Sequence, residues 1–471
     1  WTTRELVSMD TTNTAWYPAI RVDAEGRVHI IWYDNTNYSF AGDDYDVFYK
    51  CKNVTGTWTT TEVVSNESTL DAKAKPRLAV DNNGCIHVVW CEYDSANRIF
   101  YTRKAFGGDW IAAEMISNIS SSLSFRPEIE VDKQGFVHVV WFDELDYNGA
   151  GSDLDIFYRC WNATSASWMT TEVVSTESTD YSGVPDVSVD SKGNVHVVWY
   201  DLTNYNASGT DEDIFYKCRN GTSGNWTTTE VVSTESSSMA WHPRMAIDIF
   251  GNIHVVWQDS TDFHGANTDV DIFYKCLNAK TGSWTATEVV STGSSEASLR
   301  LEFVVDNTVD NITKAHIVWQ DATNYNAAGL DADIFLLSST VAIEPPILYP
   351  ISPDPDTDGI IELDWSDLPT ATKYYVYRSN SPITSVEGLI PIELVSKSIY
   401  NDTVKTNGTY YYAVTAGTYS INSSASNCRN VTVAIPPEPG GIPGFELLYL
   451  LIGLLALIYI VQRRSLCRTT S

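Results

Sequence analysis

The chain has 471 residues, with 60 Asp+Glu against 30 Lys+Arg and a formal net charge of −30. With 43% hydrophobic and 12% aromatic residues it can bury a substantial core, which excludes wholesale disorder. The acidity excludes a general nucleic-acid binder, because a phosphate backbone would be repelled.

From the N-terminus, Trp1 in place of Met reads as the end left by removal of a leader peptide. One unit then recurs six times. In its clearest copy, residues 185–190 are followed by a turn at Gly193, the run 195–201, a long polar loop, the run 213–217, a second turn, and the run 226–233. Four runs of β-branched and aromatic residues between Gly/Asn/Asp turns predict a four-stranded antiparallel unit. The second-strand Trp recurs at Trp32, Trp90, Trp141, Trp199, Trp257 and Trp319, spaced by 58, 51, 58, 58 and 62 residues. Trp58, Trp110, Trp168, Trp226 and Trp284 open five fourth strands, whereas the sixth repeat stops after Leu336. Residues 1–8 match the missing strand. The expectation is an all-β chain: a six-bladed β-propeller over residues 1–340, closed by its N-terminal strand so that no edge stays unpaired.

Strand parity puts the loops between strands two and three, and those between blades, on one face of the ring. Five of the loops keep a 12-residue step: Asp34 to Asp46, Asp143 to Asp155, Asp201 to Asp213, Asp259 to Asp271, and Asp321 to Asp333. Inside them stand Asn37, Asp146, Asn204, Asp262 and Asn324, then Asp44, Asp153, Asp211, Asp269 and Asp331. Four oxygen side chains at fixed offsets suit Ca2+, a hard cation that takes six to eight oxygens. The same residues also suit hydrogen bonds to their own loop backbone. Blade two lacks the loop and runs from Glu92 to Arg98 directly into strand three.

The axial opening on that face is expected to be lined by residues around each first-strand Pro: Tyr17, Lys75, Arg77, Arg126, His242, Arg244 and Arg300, with Glu128, Asp186 and Glu302 among them. A cationic cluster there would suit an anionic sugar or carboxylate; pairing with those three acids is the alternative. Trp16 and Trp241, outside the repeat pattern, are candidates for stacking on a sugar. The repeat-equivalent His29, His87, His138, His196, His254 and His316 sit one per blade and read as structural hydrogen bonds between blades. Cys51, Cys160, Cys218 and Cys276 recur at one repeat position, too far apart to pair, so mostly free thiols are expected.

After Pro345-Pro346, residues 345–435 carry strand-like runs at 361–365, 374–378 and 409–414. A Pro/Gly linker (436–446), an apolar segment (447–461) and a basic tail (462–471) follow. Fifteen helical residues span about 22 Å, short of a hydrocarbon core of about 30 Å, so the span is marginal. Thirteen Asn-x-Ser/Thr sequons, none beyond the apolar segment, favour export and glycosylation.

Three resemblances add to this reading. Val-Asp-x-x-Gly-x-Val-His-Val-Val-Trp followed by Asp-Ile-Phe-Tyr-Lys resembles the sialidase-like, BNR-type propellers. Their Asp-box is degenerate here, as in the turns 51–58 and 218–226, which keep the Trp but put Asn in place of Asp. Residues 345–435 resemble a fibronectin type III sandwich, with Trp365 and the Tyr410–Tyr412 run at core positions. Pro443-Gly444-Phe445-Glu446, an apolar run and Arg463-Arg464 resemble the PGF-type sorting signals of archaeal surface proteins, which implies an anchor or cleavage with transfer to a lipid. The first resemblance implies a fold superfamily. Its hydrolases need three Arg on the substrate carboxylate, a Tyr nucleophile with a Glu partner, and an Asp acid. Phe125-Arg126-Pro127 approximates the Arg-Ile-Pro element, Arg244 and Arg300 lie at nearby positions, and no Tyr–Glu pair can be placed.

The functional expectation is a non-catalytic cell-surface adhesin or receptor on the extracellular face, membrane-anchored by its C-terminal segment. It would recognise a glycan or a surface protein through one propeller face, with Ca2+ as cofactor. A sialidase-type glycoside hydrolase and a self-associating structural coat or filament subunit are the alternatives.

Overall fold

The computed structural model describes residues 4–39, 44–65, 71–93, 97–120, 123–206, 208–264, 266, 269–309, 312–323, 332–368, 371, 373–386, 388–417, 423, 425–436 and 454–455, less 341–344. Contacts divide the chain into two units: residues 1–309 with 313–340, and residues 310–312 with 341–471.

The first unit is six successive antiparallel sheets, each built from consecutive strands. The first strands are Trp16–Val22, Asp71–Val80, Ser124–Val131, Ser182–Val189, Ala240–Ile247 and Leu299–Val309. They pack side by side in chain order, the arrangement of β-propeller blades. Second strands such as Val137–Asp143 are buried along their whole length. Both faces of a blade are covered by neighbours, so these strands read as continuous apolar runs without alternation. One core cluster shows it, joining Val140 and Tyr158 of blade three to Val187, Val197 and Trp199 of blade four.

Two polar devices repeat. Within a blade, the imidazole Nδ1 of the second-strand His meets a third-strand Tyr hydroxyl: His29–Tyr49, His87–Tyr101 and His138–Tyr158 at 2.8 Å, and His196–Tyr216 at 2.7 Å. The expected structural histidines are present, but the bond lies inside each blade. His and Tyr occupy adjoining strands of one sheet, so the ring never needs to reach the next one. Between blades, a fourth-strand Glu accepts the next blade's indole N–H, as Glu62 does from Trp110 (2.9 Å) and Glu172 from Trp226 (2.7 Å).

Fourth strands are only two residues long, as at Glu62–Val63 and Glu172–Val173. Among the described residues the sixth sheet has three strands, and residues 4–8 form none. Yet Glu5 accepts from Trp58 Nε1 at 2.6 Å and from Lys52, occupying on blade one the seat Glu62 takes on blade two. The third strand of blade six leaves Ile334 74% and Leu336 61% exposed, so closure by the N-terminal strand is not among the described contacts.

In the second unit, strands Ile360–Asp364 and Ile399–Thr403 form one sheet. Glu393–Val395, Lys373–Ser379, Gly408–Gly417 and Arg429–Val433 form the other. Trp365, Tyr374 and Tyr412 fill the core between them. No helix among the described residues is long and apolar enough to cross a membrane. Of the expected segment 447–461 only residues 454–455 are described, and both are helical. The seven described cysteines are all free thiols, as expected.

Candidate functional site

Each first strand carries a proline or its equivalent, and the residue before it is where the blades depart from regular geometry. Tyr17, Lys75, Arg126, Val184, His242 and Arg300 all have positive φ, between 28° and 54°. L-residues avoid this region, and six equivalent cases on one face are a concentration of strain that packing must over-determine. A following proline bars the α region for five of them. The pairing register slips at the same place, between Trp16 and Ala19, Gly183 and Asp186, and Trp241 and Arg244. Such bulges re-aim side chains. Here they lift the pre-proline side chain out of the ladder at the end of the strand that borders the mouth.

The re-aimed residues form an outer layer: Tyr17, Lys75, Arg126, Val184, His242 and Arg300. Residues two positions on form an inner layer: Ala19, Arg77, Glu128, Asp186, Arg244 and Glu302. The inner layer neutralises itself. Arg77 Nε donates to Glu128 at 2.7 Å with both side chains 14% exposed, and Arg244 Nε lies 3.7 Å from Glu302. Asp186 accepts the Met245 N–H at 2.8 Å. Burial, with Glu128 and Glu302 adding to it, pushes the Asp186 carboxyl up to about 6 against the pull of Arg244. Arg77, expected as a ligand-binding cation, is thus committed to Glu128, because the first strands of adjacent blades pack side by side; the Glu302 beside Arg244 is 67% exposed.

The outer layer differs. Among the described residues Arg126, His242 and Arg300 make no hydrogen bond or ion pair, and Lys75 makes only a cation–π contact, 5.5 Å above the Tyr17 ring. Tyr17 in turn stacks on Tyr33 at 5.7 Å. Burial, then repulsion from Arg126, Arg77 and Arg244, lowers the Lys75 ammonium to about 8. Burial, then Arg126, Lys75 and Arg244, lowers His242 to about 4, leaving a neutral imidazole at pH 7. These interactions join blades two, three and five, so Lys75, Arg126 and His242 lie within one another's electrostatic field. Arg300, on blade six, is exposed. Trp16 is 49% exposed and lines a cavity of about 260 Å³ with Val7, Pro18, Ile30 and Trp32; Trp241 is half-buried, opposite Gln258.

The acidic loops divide in two. The strand-two aspartates are spent on structure: Asp201 accepts from Ser178, Ser182, the Trp199 indole and the Thr203 N–H, between 2.6 and 3.0 Å. Asp143 and Asp321 are bonded alike, and Asp259 accepts from Trp257 and Thr261. Asp34 is the exception: its Oδ1 accepts from Thr36, and its Oδ2 is buried without a hydrogen bond. Asn204 accepts a long 3.4 Å contact from the Gly209 N–H, and Asp146 and Asp262 are solvent-facing. Asn324 and Asp331 lie outside the described residues. Of the expected four-residue set, the strand-three aspartate and the aspartate two before it keep buried oxygens without a hydrogen bond in blades one, three and four.

Among the described residues, one trio of Asp, Cys and His brings its ligand atoms within 4.8 Å of one another: Asp81, Cys85 and His87. Its Asp–His separation, 3.8 Å, is close to the 3.6 Å of Asp132–His138 and Asp190–His196, whose turns carry Phe136 and Asn194 where this one has Cys85. The pair is thus part of the repeat, and Cys85 is a local substitution in its turn.

No family model matches the chain, and no curated protein does. Solved structures do resemble it. An ulvan lyase, described as a new family of polysaccharide lyase, is 13% identical and covers 76% of this chain and 92% of its own, with a TM-score of 0.43. An α-L-arabinanase from Penicillium chrysogenum complexed with arabinobiose is 13% identical, covering 69% of this chain and 93% of its own, at 0.43. A subtype N11 neuraminidase-like protein of A/flat-faced bat/Peru is 11% identical, covering 70% and 88%, at 0.41. Likeness of this degree does not extend to chemistry.

The ring of pre-proline residues with positive φ was not read from sequence. Its signal was present, as the x-Pro pair recurring at five first strands.

Proposed function

We propose that this protein is a non-catalytic surface binding protein whose propeller mouth takes an acidic glycan bearing a carboxylate or sulfate. One observation carries the reading. Lys75 and Arg126, from different blades, lie in each other's field with no ion pair to either among the described residues, while Arg77, two residues beyond Lys75, is already paired with Glu128. Unpaired, half-buried cations are costly unless an anion completes them, and an Arg offers a carboxylate or sulfate two parallel N–H bonds. Neutral His242 adds a hydrogen-bonding group, and Tyr17 a ring face for a sugar.

In this reading the N-terminal strand closes blade six. The sandwich, fibronectin type III-like, is a spacer, and the C-terminal segment holds the chain to the membrane with its glycosylated bulk outside. The test is a glycan array probed with the full chain, with and without Ca2+. Retention of acidic glycans, lost in Arg126→Ala, supports the reading; retention of neutral glycans alone overturns it. Turnover of a fluorogenic sialoside, abolished in Arg126→Ala, would replace it with the hydrolase.

A further inference from the structure

Buried carboxylate oxygens without a partner are rare in folded proteins, because each forfeits its hydration for nothing. Here they are concentrated in one repeat element. Asp44 Oδ2 and Asp46 Oδ2 in blade one, Asp153 Oδ2 and Asp155 Oδ2 in blade three, Asp211 Oδ2 and Asp213 Oδ2 in blade four, and both oxygens of Asp269 in blade five are buried with no hydrogen bond. Asp46 and Asp155 are 0% exposed and Asp213 is 1%. We propose that blades one, three, four and five each bind one hard divalent cation, of the Ca2+ class, between the strand-three aspartate and the aspartate two residues before it.

The hydrogen-bond directions leave few other readings. The Ser65 hydroxyl accepts the Val47 N–H at 2.9 Å, so its own proton goes to Asp46 Oδ1 at 2.7 Å. Ser175 does the same between Ile156 and Asp155, and Ser233 between Ile214 and Asp213. Oδ1 is therefore an acceptor, and Oδ2 is left without a hydrogen bond; only beside Asp213 does a further hydroxyl, that of Ser208, come near. In addition, each strand-three aspartate faces a strand-two aspartate directly across the ladder, as Asp34 faces Asp46 and Asp201 faces Asp213. Like charges directly opposite are destabilising. Three carboxylates per loop with no cation of the chain among them call for one from outside.

Blade two is the internal control. It lacks the loop, and at the register position of the strand-three aspartate it carries Arg98, opposite Glu92. Where the loop is missing, the chain supplies the positive charge itself. In blades three and four, close backbone approach shapes the site. A Cβ on Gly151 would lie 2.6 Å from Asp153 Oδ1, and one on Gly209 would crowd Asp211 Oδ1 more closely still. Two carboxylates balance a divalent charge, and loop carbonyls and water can complete an all-oxygen shell, which favours Ca2+ over softer metals. The sites lie in the loops and stand apart from the anion reading of the mouth, so either can fail alone.

The test uses the full chain, stripped with EGTA and dialysed against Ca2+ or Mg2+. Elemental analysis should find about four Ca2+ per chain, and Ca2+ should raise the melting temperature of the stripped protein more than Mg2+ does. The double variant Asp153→Asn/Asp155→Asn should lose one ion. Arg98→Gln, which touches only the loop-less blade, should keep the full count. No retained ion, with melting unchanged by EGTA, overturns the proposal. So does an Asp153→Asn/Asp155→Asn protein that keeps its metal content, or one that melts higher than the wild type in EGTA and in Ca2+ alike, which would make the oxygens protonated acids.

Discussion

Lys217 offers the sharpest check on how the blades are held. Its stem lies in the third strand of blade four, and the side chain, 2% exposed, donates through Nζ to three groups of blade three. These are Val174 O at 3.0 Å, Thr176 Oγ1 at 2.6 Å and Glu177 Oε2 at 2.6 Å. Lys275 repeats the arrangement on Val232 O, Thr234 and Glu235. In Lys217→Met the stem volume is kept and the ammonium is lost. Glu177, about a third exposed and still bonded to Thr229, can rehydrate, whereas the carbonyl beside the fully buried Val174 cannot. One stranded buried acceptor plus the lost charge-assisted bonds amounts to about 2–4 kcal/mol. At about 2.1 cal/mol/K per residue, the roughly 340 residues of the propeller unit have an unfolding entropy near 0.7 kcal/mol/K, so melting should fall by about 3–6 °C. Calorimetry at pH 7 reads this directly. Burial raises the Glu177 carboxyl, but Lys217 and Thr229 lower it more, and the net shift is downward. A depressed carboxylate stabilises above its unfolded value and loses that contribution as pH falls through its folded one. The gap between wild type and Lys217→Met should therefore narrow below about pH 4. A melting temperature within about 1 °C of wild type at pH 7 would refute the strap.

Two other predictions concern the mouth and the blade interior. Because Lys75 titrates near 8 and is charged below that value, affinity for an acidic glycan should weaken between pH 7 and 9, as isothermal titration can follow. Lys75→Met should flatten that profile; an unchanged profile removes Lys75 from the site. His196→Phe strands the Tyr216 hydroxyl, 3% exposed, and should cost about 1–3 kcal/mol in denaturant unfolding, while adding Tyr216→Phe should recover part of the loss. If the second change deepens the loss instead, the His–Tyr bond is not what the pair contributes.

The blades were legible because their signal is local and repeated: β-branched runs, Asn/Gly turns, and a Trp returning every 51 to 62 residues. The mouth was legible only as a list. Which cations are free depends on which first strands face one another: Arg77 meets Glu128 across blades, whereas Lys75, two residues earlier, is turned the other way. That turn goes with a positive φ at the bulge; the recurring x-Pro pair marks the position, but not which charges it frees. The aspartates divided for the same reason. Asp201 and Asp213 look alike in sequence, but serines from the loop entering the blade converge on the first and leave one oxygen of the second bare. Composition and spacing determined the repeat, its strands and the face that carries the acid. Only tertiary packing decided which of those charges are consumed within the protein and which remain for a ligand, because pairing depends on contacts between residues far apart in the chain.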